Sequence, residues 1–474
     1  MKQLKYRIIA GAAAALMMGL SIADLPQNAF PKPEITASAA ETPFFNSIEA
    51  FRTYIDTNFY TKYAADETSI KFTIYGYRGT DPDVYIPNPV IVQDENSNYK
   101  VVTVEAIADG AFEGNDTITS VSIASSVETI GTGAFRDCTA LTSVTLERDY
   151  SLLQTKTTLA NTLSTIGSEA FSGCESLTDI NFSDAANLKY IYSKAFYHCE
   201  ALNTVRIANK SFESIGDYAF SGCTALTGMY FPDDCRMSRL GEGAFASCSA
   251  LTSCNLLSLS YQSTLSVIPA HCFDGCTALR TFYVPDTVTK IDAMAFYGCA
   301  SLGYVSGMYA VTEIGSSAFR DCTSLQYLQY TVSDEEAGTL GFRLPDELGT
   351  LGSCAFLHCK GAGKVIIPQT LTSIGIGSLC GLYDVTGFAF GEKPELREGE
   401  EAPEYASDKY MIRDGIFTAW DENGYCSLLA YPPAKVRDDK RLALGEDVKA
   451  ILPYACSGVH GAEAFGAPSS LKEI

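Results

Sequence analysis

A motif that returns at a base interval of 23 residues constrains this chain more than its length or composition does. The stretch from Ile130 to Leu146 overlays on Ile215 to Phe231 and on Ile291 to Val305. The shared frame is I-x-x-x-A-F-x-x-C-x-x-L-x-x-V-x-(apolar). Its opening isoleucine or leucine falls at 107, 130, 166, 191, 215, 240, 268, 291, 314, 351, 374 and 451. Copies at 23 residues, with longer steps where material is inserted between them, predict a solenoid, because an insertion can loop out without disturbing a stack.

Each copy has the pattern of one coil. In Leu141 to Leu146 the apolar Val144 and Leu146 alternate with Ser143 and Thr145, the period of a half-buried strand. Ala134, Phe135 and Cys138 fall on one side of a short helical turn. A single coil buries about five apolar side chains, worth on the order of 10 kcal/mol. Ordering its residues costs more, at roughly 1–2 kcal/mol each. A coil is therefore stable only when stacked on neighbours.

The frame resembles the BspA-type leucine-rich repeat of bacterial surface and secreted proteins, including the proline that often follows the last apolar residue (Phe231-Pro232, Val284-Pro285, Ile367-Pro368). The resemblance covers 107–390 well and 451–474 loosely. It implies an α/β leucine-rich-repeat solenoid of strand-rich, right-handed coils of about 23 residues with short helical turns. It also implies a role in adhesion or binding rather than one particular ligand.

The expected organisation follows from where the frame holds. Residues 1–40 read as a signal peptide: basic Lys2, Lys5 and Arg7, an apolar run from Ile8 to Leu20, then Ala37-Ser38-Ala39-Ala40. Residues 41–106 read as an N-terminal cap, with a helix over 46–64 carrying Ile48, Phe51, Ile55 and Phe59, followed by strands. The solenoid occupies 107–390, interrupted by insertions at 147–165, 256–267 and 331–350. Residues 391–474 read as an acidic loop, a hairpin over 409–431 turning at Asp421-Glu-Asn-Gly424, and an eroded repeat from Ile451. Because Ile474 stands where a further coil would open, the chain is expected to be truncated there.

The formal charge is −22, and the first 40 residues contribute +2, so the rest is near −24. Such a surface repels phosphate backbones and anionic lipid heads, so neither nucleic acid nor direct membrane binding is expected. Sixteen cysteines in an exported chain would suggest disulfides. Nine of them, however, fill one repeat slot: Cys138, Cys174, Cys199, Cys223, Cys248, Cys276, Cys299, Cys322 and Cys359, with Asn115 in the first copy. That is an inward position where cysteine acts as a small apolar residue, so free buried thiols are expected.

Chemistry-bearing patterns are few. Cys272-x3-Cys276 and Cys354-x4-Cys359 lie near His271 and His358, yet Cys272 replaces the repeat's alanine and Cys276 fills the cysteine slot, and no C-x2-C pair exists, so no metal or cofactor is expected. The histidines (His198, His271, His358, His460) sit in no nucleophile motif, and Leu344-Pro-Asp-Glu-Leu-Gly349 lacks the threonine of a sortase signal. An enzyme is not expected. The ligand-binding candidates are Tyr230, Tyr283, Tyr304 and Tyr327, which the strand alternation turns outward on the middle coils. Tyrosine offers amphipathic contact area at low entropy cost, although it also simply favours strands. The reading is a secreted or cell-surface, non-catalytic binding or adhesion module for an extracellular protein or glycan. The alternative is an accessory region whose activity or anchor, such as a dockerin or wall-binding domain, lies beyond residue 474.

Overall fold

The computed structural model describes residues 47–93, 99–147, 161–254, 256, 263–328, 342–392, 406–420, 426–432, 441–443, 448–456 and 463–465. The signal segment, most of the three insertions, His460, the turn at 421–424 and the last nine residues lie outside these.

The described chain opens with helix α1 (Ile48–Asn58), whose N-cap Ser47 accepts a hydrogen bond from the Ala50 N–H at 3.0 Å. Phe51 and Ile55 turn one face of the helix into the core. The helix is shorter than the expected 46–64. Thr57 and Asn58 are poor helix formers, and the Asn58 side chain donates to the Tyr54 carbonyl at 2.9 Å. Phe59 then takes φ −134° and opens a strand. The aromatic run that continued the helical stripe is thus β1 (Phe59–Ala65). It pairs antiparallel with β2 (Ser69–Tyr77), followed by β3 (Asp83–Tyr85), β4 (Val90–Gln93) and β5 (Tyr99–Ile107).

From β2 and β5 onward the chain builds two parallel ladders. The first is made by the residues just before each coil's turn. Ile107, Ile130, Ile166, Ile191 and Ile215 stack rung on rung, and Ile268, Ile291, Ile314, Leu351 and Ile374 form a second run. The other ladder is the L-x-x-V strand, which runs from β3 through Ser120–Ile123 and Ser143–Leu146 to Asp179–Ile180. It continues through Thr204–Arg206, Gly228–Tyr230 and Ser253–Cys254, then from Thr281–Tyr283 to Val385–Phe390. Its alternation is as expected: Val121, Val144, Val205, Phe282 and Val305 are buried, while residues on either side face out.

The turn segment carries a third set of inter-coil bonds. Within a coil the Ala134, Arg136 and Cys138 N–H groups donate three residues back, to Gly131, Gly133 and Phe135. The intervening Gly133, Phe135 and Asp137 N–H groups donate to the next coil, at Ser168, Ala170 and Ser172. The helical turn is therefore a run of tight turns shared between coils. It needs two left-handed residues per copy, such as Gly133 (φ 58°) with Asp137 (φ 57°), or Lys194 with His198 (both φ 55°). Coils approach so closely here that a Cβ at Gly131 would lie 2.6 Å from the Asp109 nitrogen, which explains glycine after the opening isoleucine.

Inside, identical residues stack on each other. Phe112, Phe135, Phe171, Phe196, Phe220, Phe245, Phe273, Phe296, Phe319 and Phe356 form one column, with centroids 4.7–5.6 Å apart and planes within 12°. Beside it runs the cysteine column. Each thiol donates to the phenylalanine carbonyl of the preceding coil, from Cys138 to Phe112 (3.1 Å) through Cys223 to Phe196 (3.1 Å) to Cys359 on Phe319 (3.0 Å). All nine are buried and free, as expected from their shared slot. Asn115 instead turns its Oδ1 onto the Thr117 and Ile118 N–H groups. Hydroxyl columns line the edges: Thr142, Thr178, Thr227 and Thr252 each donate to a carbonyl one coil back.

Two departures concern the insertions and the C-terminal segment. Phe342–Arg343, inside the span read as an insertion, pairs with Leu328 on one side and Val365–Ile366 on the other. The second ladder so gains a rung where the first passes directly from Ile314 to Leu351. Past the stack, Tyr410–Arg413, Ile416–Trp420 and Cys426–Ala430 form two successive hairpins rather than one. The first turns at Asp414-Gly415, both with positive φ.

Replacing Phe220, wholly buried in mid-column, with alanine should cost about 3–5 kcal/mol, measurable as a fall in the denaturant midpoint. The thiols make a second expectation. Burial pushes Cys138 and Cys248 up to about 12, whereas an unfolded thiol ionises near 8.5. A raised folded value stabilises below the unfolded pKa and is lost as pH rises through the folded one. Stability should therefore fall between about pH 9 and pH 12, and the double Cys138→Ala/Cys248→Ala variant should show a shallower alkaline fall than the parent.

Candidate functional site

The outer face of the second ladder varies from coil to coil among the described residues, and the four tyrosines stand on it. Tyr304 and Tyr327 occupy one register on adjacent rungs. Tyr283 lies diagonally across, opposite Ser306, while Tyr304 stands opposite Thr281. These three form a contiguous group. Tyr230 is set apart from them by the rung Ser253–Cys254, beyond which the ladder's pairing is interrupted until Thr281.

Each of the four rings is half-buried, and neighbours hold two of them, Tyr230 and Tyr283, against the sheet. Tyr230 folds over Gly228, where a Cβ would come 2.7 Å from its ring, and the Arg206 guanidinium sits 4.5 Å from its centroid. The Tyr283 hydroxyl donates to Asp286 at 2.8 Å, and its ring covers Gly307. Rings fixed in this way lose little entropy when a partner docks. The sequence signal for their placement was the alternation of the strand. Their immobilisation by Gly228, Gly307, Arg206 and Asp286 depends on contacts between coils and could not be read from it.

The remaining chemistry-bearing residues are dispersed along the turn edge. His271 Nδ1 lies 2.8 Å from Asp274, and His358 Nδ1 lies 2.6 Å from Asp321. His198 sits 3.6 Å from Glu200. No nucleophile joins any of these pairs among the contacts described. Cys272 and Cys276 are buried, and Cys354 and Cys359 occupy separate slots. Among the described residues no group of three or more His, Cys, Asp or Glu side chains is placed to hold a metal ion. One set of exposed aromatics went unnoticed in the sequence: Tyr60, Tyr63 and Tyr75, about half-exposed on β1 and β2. Their signal was present as tyrosines beside Arg52, Lys62 and Arg78.

Comparison with known proteins bears on the repeat rather than on the tyrosines. Among solved structures, a leucine rich cell surface protein from Faecalibacterium prausnitzii A2-165 is 25% identical, covering 72% of this chain and 95% of its own, with a TM-score of 0.37. A leucine-rich repeat protein from Bacteroides ovatus is 21% identical over 71% of this chain and 98% of its own, with a TM-score of 0.36. The pneumococcal vaccine antigen PcpA is 16% identical over 70% of this chain and 80% of its own, at 0.38. No curated protein matches. The profile of the BspA type leucine rich repeat region matches in six copies over 105–156, 150–258, 249–339 and 339–393. Those matches span more than half of the chain and coincide with the stacked coils, so the protein belongs to the BspA-type leucine-rich-repeat family.

Proposed function

We propose that this protein is a secreted or cell-surface, non-catalytic adhesion module that binds an extracellular protein or glycan on the outer face of its second ladder. The observation that carries this reading is the group Tyr283, Tyr304 and Tyr327, three half-buried amphipathic rings on consecutive rungs, of which Tyr283 is held by Asp286, with Tyr230 and Arg206 extending the face. Pre-positioned tyrosine contributes contact area at low entropic cost. The solenoid supplies a rigid and repetitive mount, so each ring stands at a spacing set by the coil repeat. Residues 41–106 serve as a cap in this reading and 107–390 as the binding solenoid. Export rests on the basic, apolar and small-residue order of residues 1–40.

The test is a glycan and extracellular-protein array probed with the chain from residue 41 onward, followed by the quadruple variant Tyr230→Ser/Tyr283→Ser/Tyr304→Ser/Tyr327→Ser. Because the rings are half-exposed, the variant should keep the parent's far-ultraviolet spectrum. Its affinity for the partner found on the array should drop at least about tenfold, about 1.4 kcal/mol. A folded variant that binds as tightly as the parent would remove the second ladder's face from consideration.

A further inference from the structure

A second surface, chemically unlike the first, lies on the outer face of β1 and β2. The strand alternation buries Phe59, Ile70, Phe72 and Ile74 and turns Tyr60, Lys62 and Tyr75 outward. A bulge between Tyr60 and Thr61 makes Tyr75 the unpaired extra residue of β2, and Gly76 opposite Tyr60 leaves room for that ring. Tyr60 is 53% exposed and Tyr75 47%. The Arg78 guanidinium lies 4.0 Å from the Tyr60 centroid, and Lys62 Nζ lies 4.6 Å from that of Tyr75. Around the strand edge Arg52 sits 4.8 Å from the ring of Tyr63, itself 54% exposed.

These cations are used differently from many others in the chain. Arg136, Arg239, Lys290 and Arg343 are each paired with carboxylates, and on this same face Lys71 is held by Glu105 at 3.0 Å. Arg52, Lys62 and Arg78 have no ion-pair partner among the described residues and lie over tyrosine rings, with one Arg78 donor, Nη1, also bonded to the Asp56 carbonyl at 3.1 Å. In a chain of charge −22 with 56 carboxylates, three cations left unneutralised beside exposed rings form a local site for negative charge. A ring neither discharges a cation nor competes for its outward hydrogen-bond donors.

We infer that this face binds an anionic polysaccharide, one bearing carboxylates or sulfates on a pyranose backbone. Sugar rings would lie against the exposed faces of Tyr60 and Tyr75, with their acid groups on Lys62 and Arg78. Charge complementarity selects the acid, and two flat rings on an open sheet suit a chain of sugars. A peptide added as an extra strand fits less well, because the bulge and Lys62 blunt the β1 edge. The surface is independent of the second ladder's tyrosines, which stand on another face of the molecule.

The probes are immobilised heparin and polygalacturonate, with neutral dextran and polyglutamate as comparisons, applied to the chain from residue 41 onward. At low ionic strength the protein should be retained on the two acidic polysaccharides and released by salt, and it should pass through dextran. Lys62→Gln/Arg78→Gln should weaken retention about tenfold. Tyr60→Ser/Tyr75→Ser should weaken it as well while leaving the charge unchanged. The quadruple second-ladder variant should bind both polysaccharides like the parent, so the two surfaces fail or succeed separately. Absence of retention, or retention unaltered in folded Lys62→Gln/Arg78→Gln protein, would overturn the site. Equal or tighter retention on polyglutamate would overturn the polysaccharide assignment in favour of an acidic protein.

Discussion

The structure depends on the stacking of like upon like along its axis, seen most directly in the phenylalanine column. A ring with parallel neighbours on both sides fits only if every coil presents the same side chain at the same height. The column therefore enforces the repeat's register, and the register in turn aligns the backbone groups of three inter-coil ladders. The cysteine column follows from the same geometry. The space beside each phenylalanine is small, dry and faces a carbonyl, and a thiol fills it while satisfying that carbonyl with a weak hydrogen bond. Serine would fit the volume but bring a more strongly solvated group into an apolar interior.

With the interior fixed by stacking, variation is confined to positions that no ladder uses. Edge positions are occupied by hydroxyls bonded to the neighbouring coil, such as Thr227 on Asn203 and Thr312 on Thr289. The turn edge accepts glycine, histidine, lysine or tyrosine at its left-handed slots, provided the backbone strain is met by the bonds to the next coil. What remains is the outer face of the strands. Serine and threonine there in the early coils give way to tyrosine and arginine in the middle ones without any change in the core. Stability and surface variation are thus carried by different columns of one repeat.

Much of this was legible in the sequence because it repeats. Twelve aligned isoleucines or leucines, one cysteine slot and the alternation around Val144 identify the inward columns without knowledge of the coordinates. What escaped the reading depended on non-repeating or tertiary choices. Phe59 continues the helical spacing of Phe51 and Ile55, but its aromatic, β-favouring neighbours find a partner in β2. The spacing of Ala134, Phe135 and Cys138 suggests a helical turn, because spacing cannot reveal that Asp137 or His198 is left-handed. The Asp414-Gly415 hairpin had a plain signal that was overshadowed by the longer apolar run around it. The anchoring of the candidate tyrosines was beyond reach for a different reason. Gly228 and Gly307 matter only once the rings of Tyr230 and Tyr283 lie over them.

The additional rung at Phe342–Arg343 bears on the face that the tyrosines occupy. Rungs are spaced about 4.8 Å apart and packed sheets lie about 10 Å apart. An extra rung in one ladder therefore lengthens that side of the stack by about one strand spacing. The second ladder holds the extra rung. The rung follows directly on Tyr327–Leu328, so Tyr283, Tyr304 and Tyr327 lie on the rungs that lead up to it. Half-buried rings on an open strand face offer area rather than a pocket, so the partner proposed above is better matched by a flat or concave surface than by a small ligand needing a cavity.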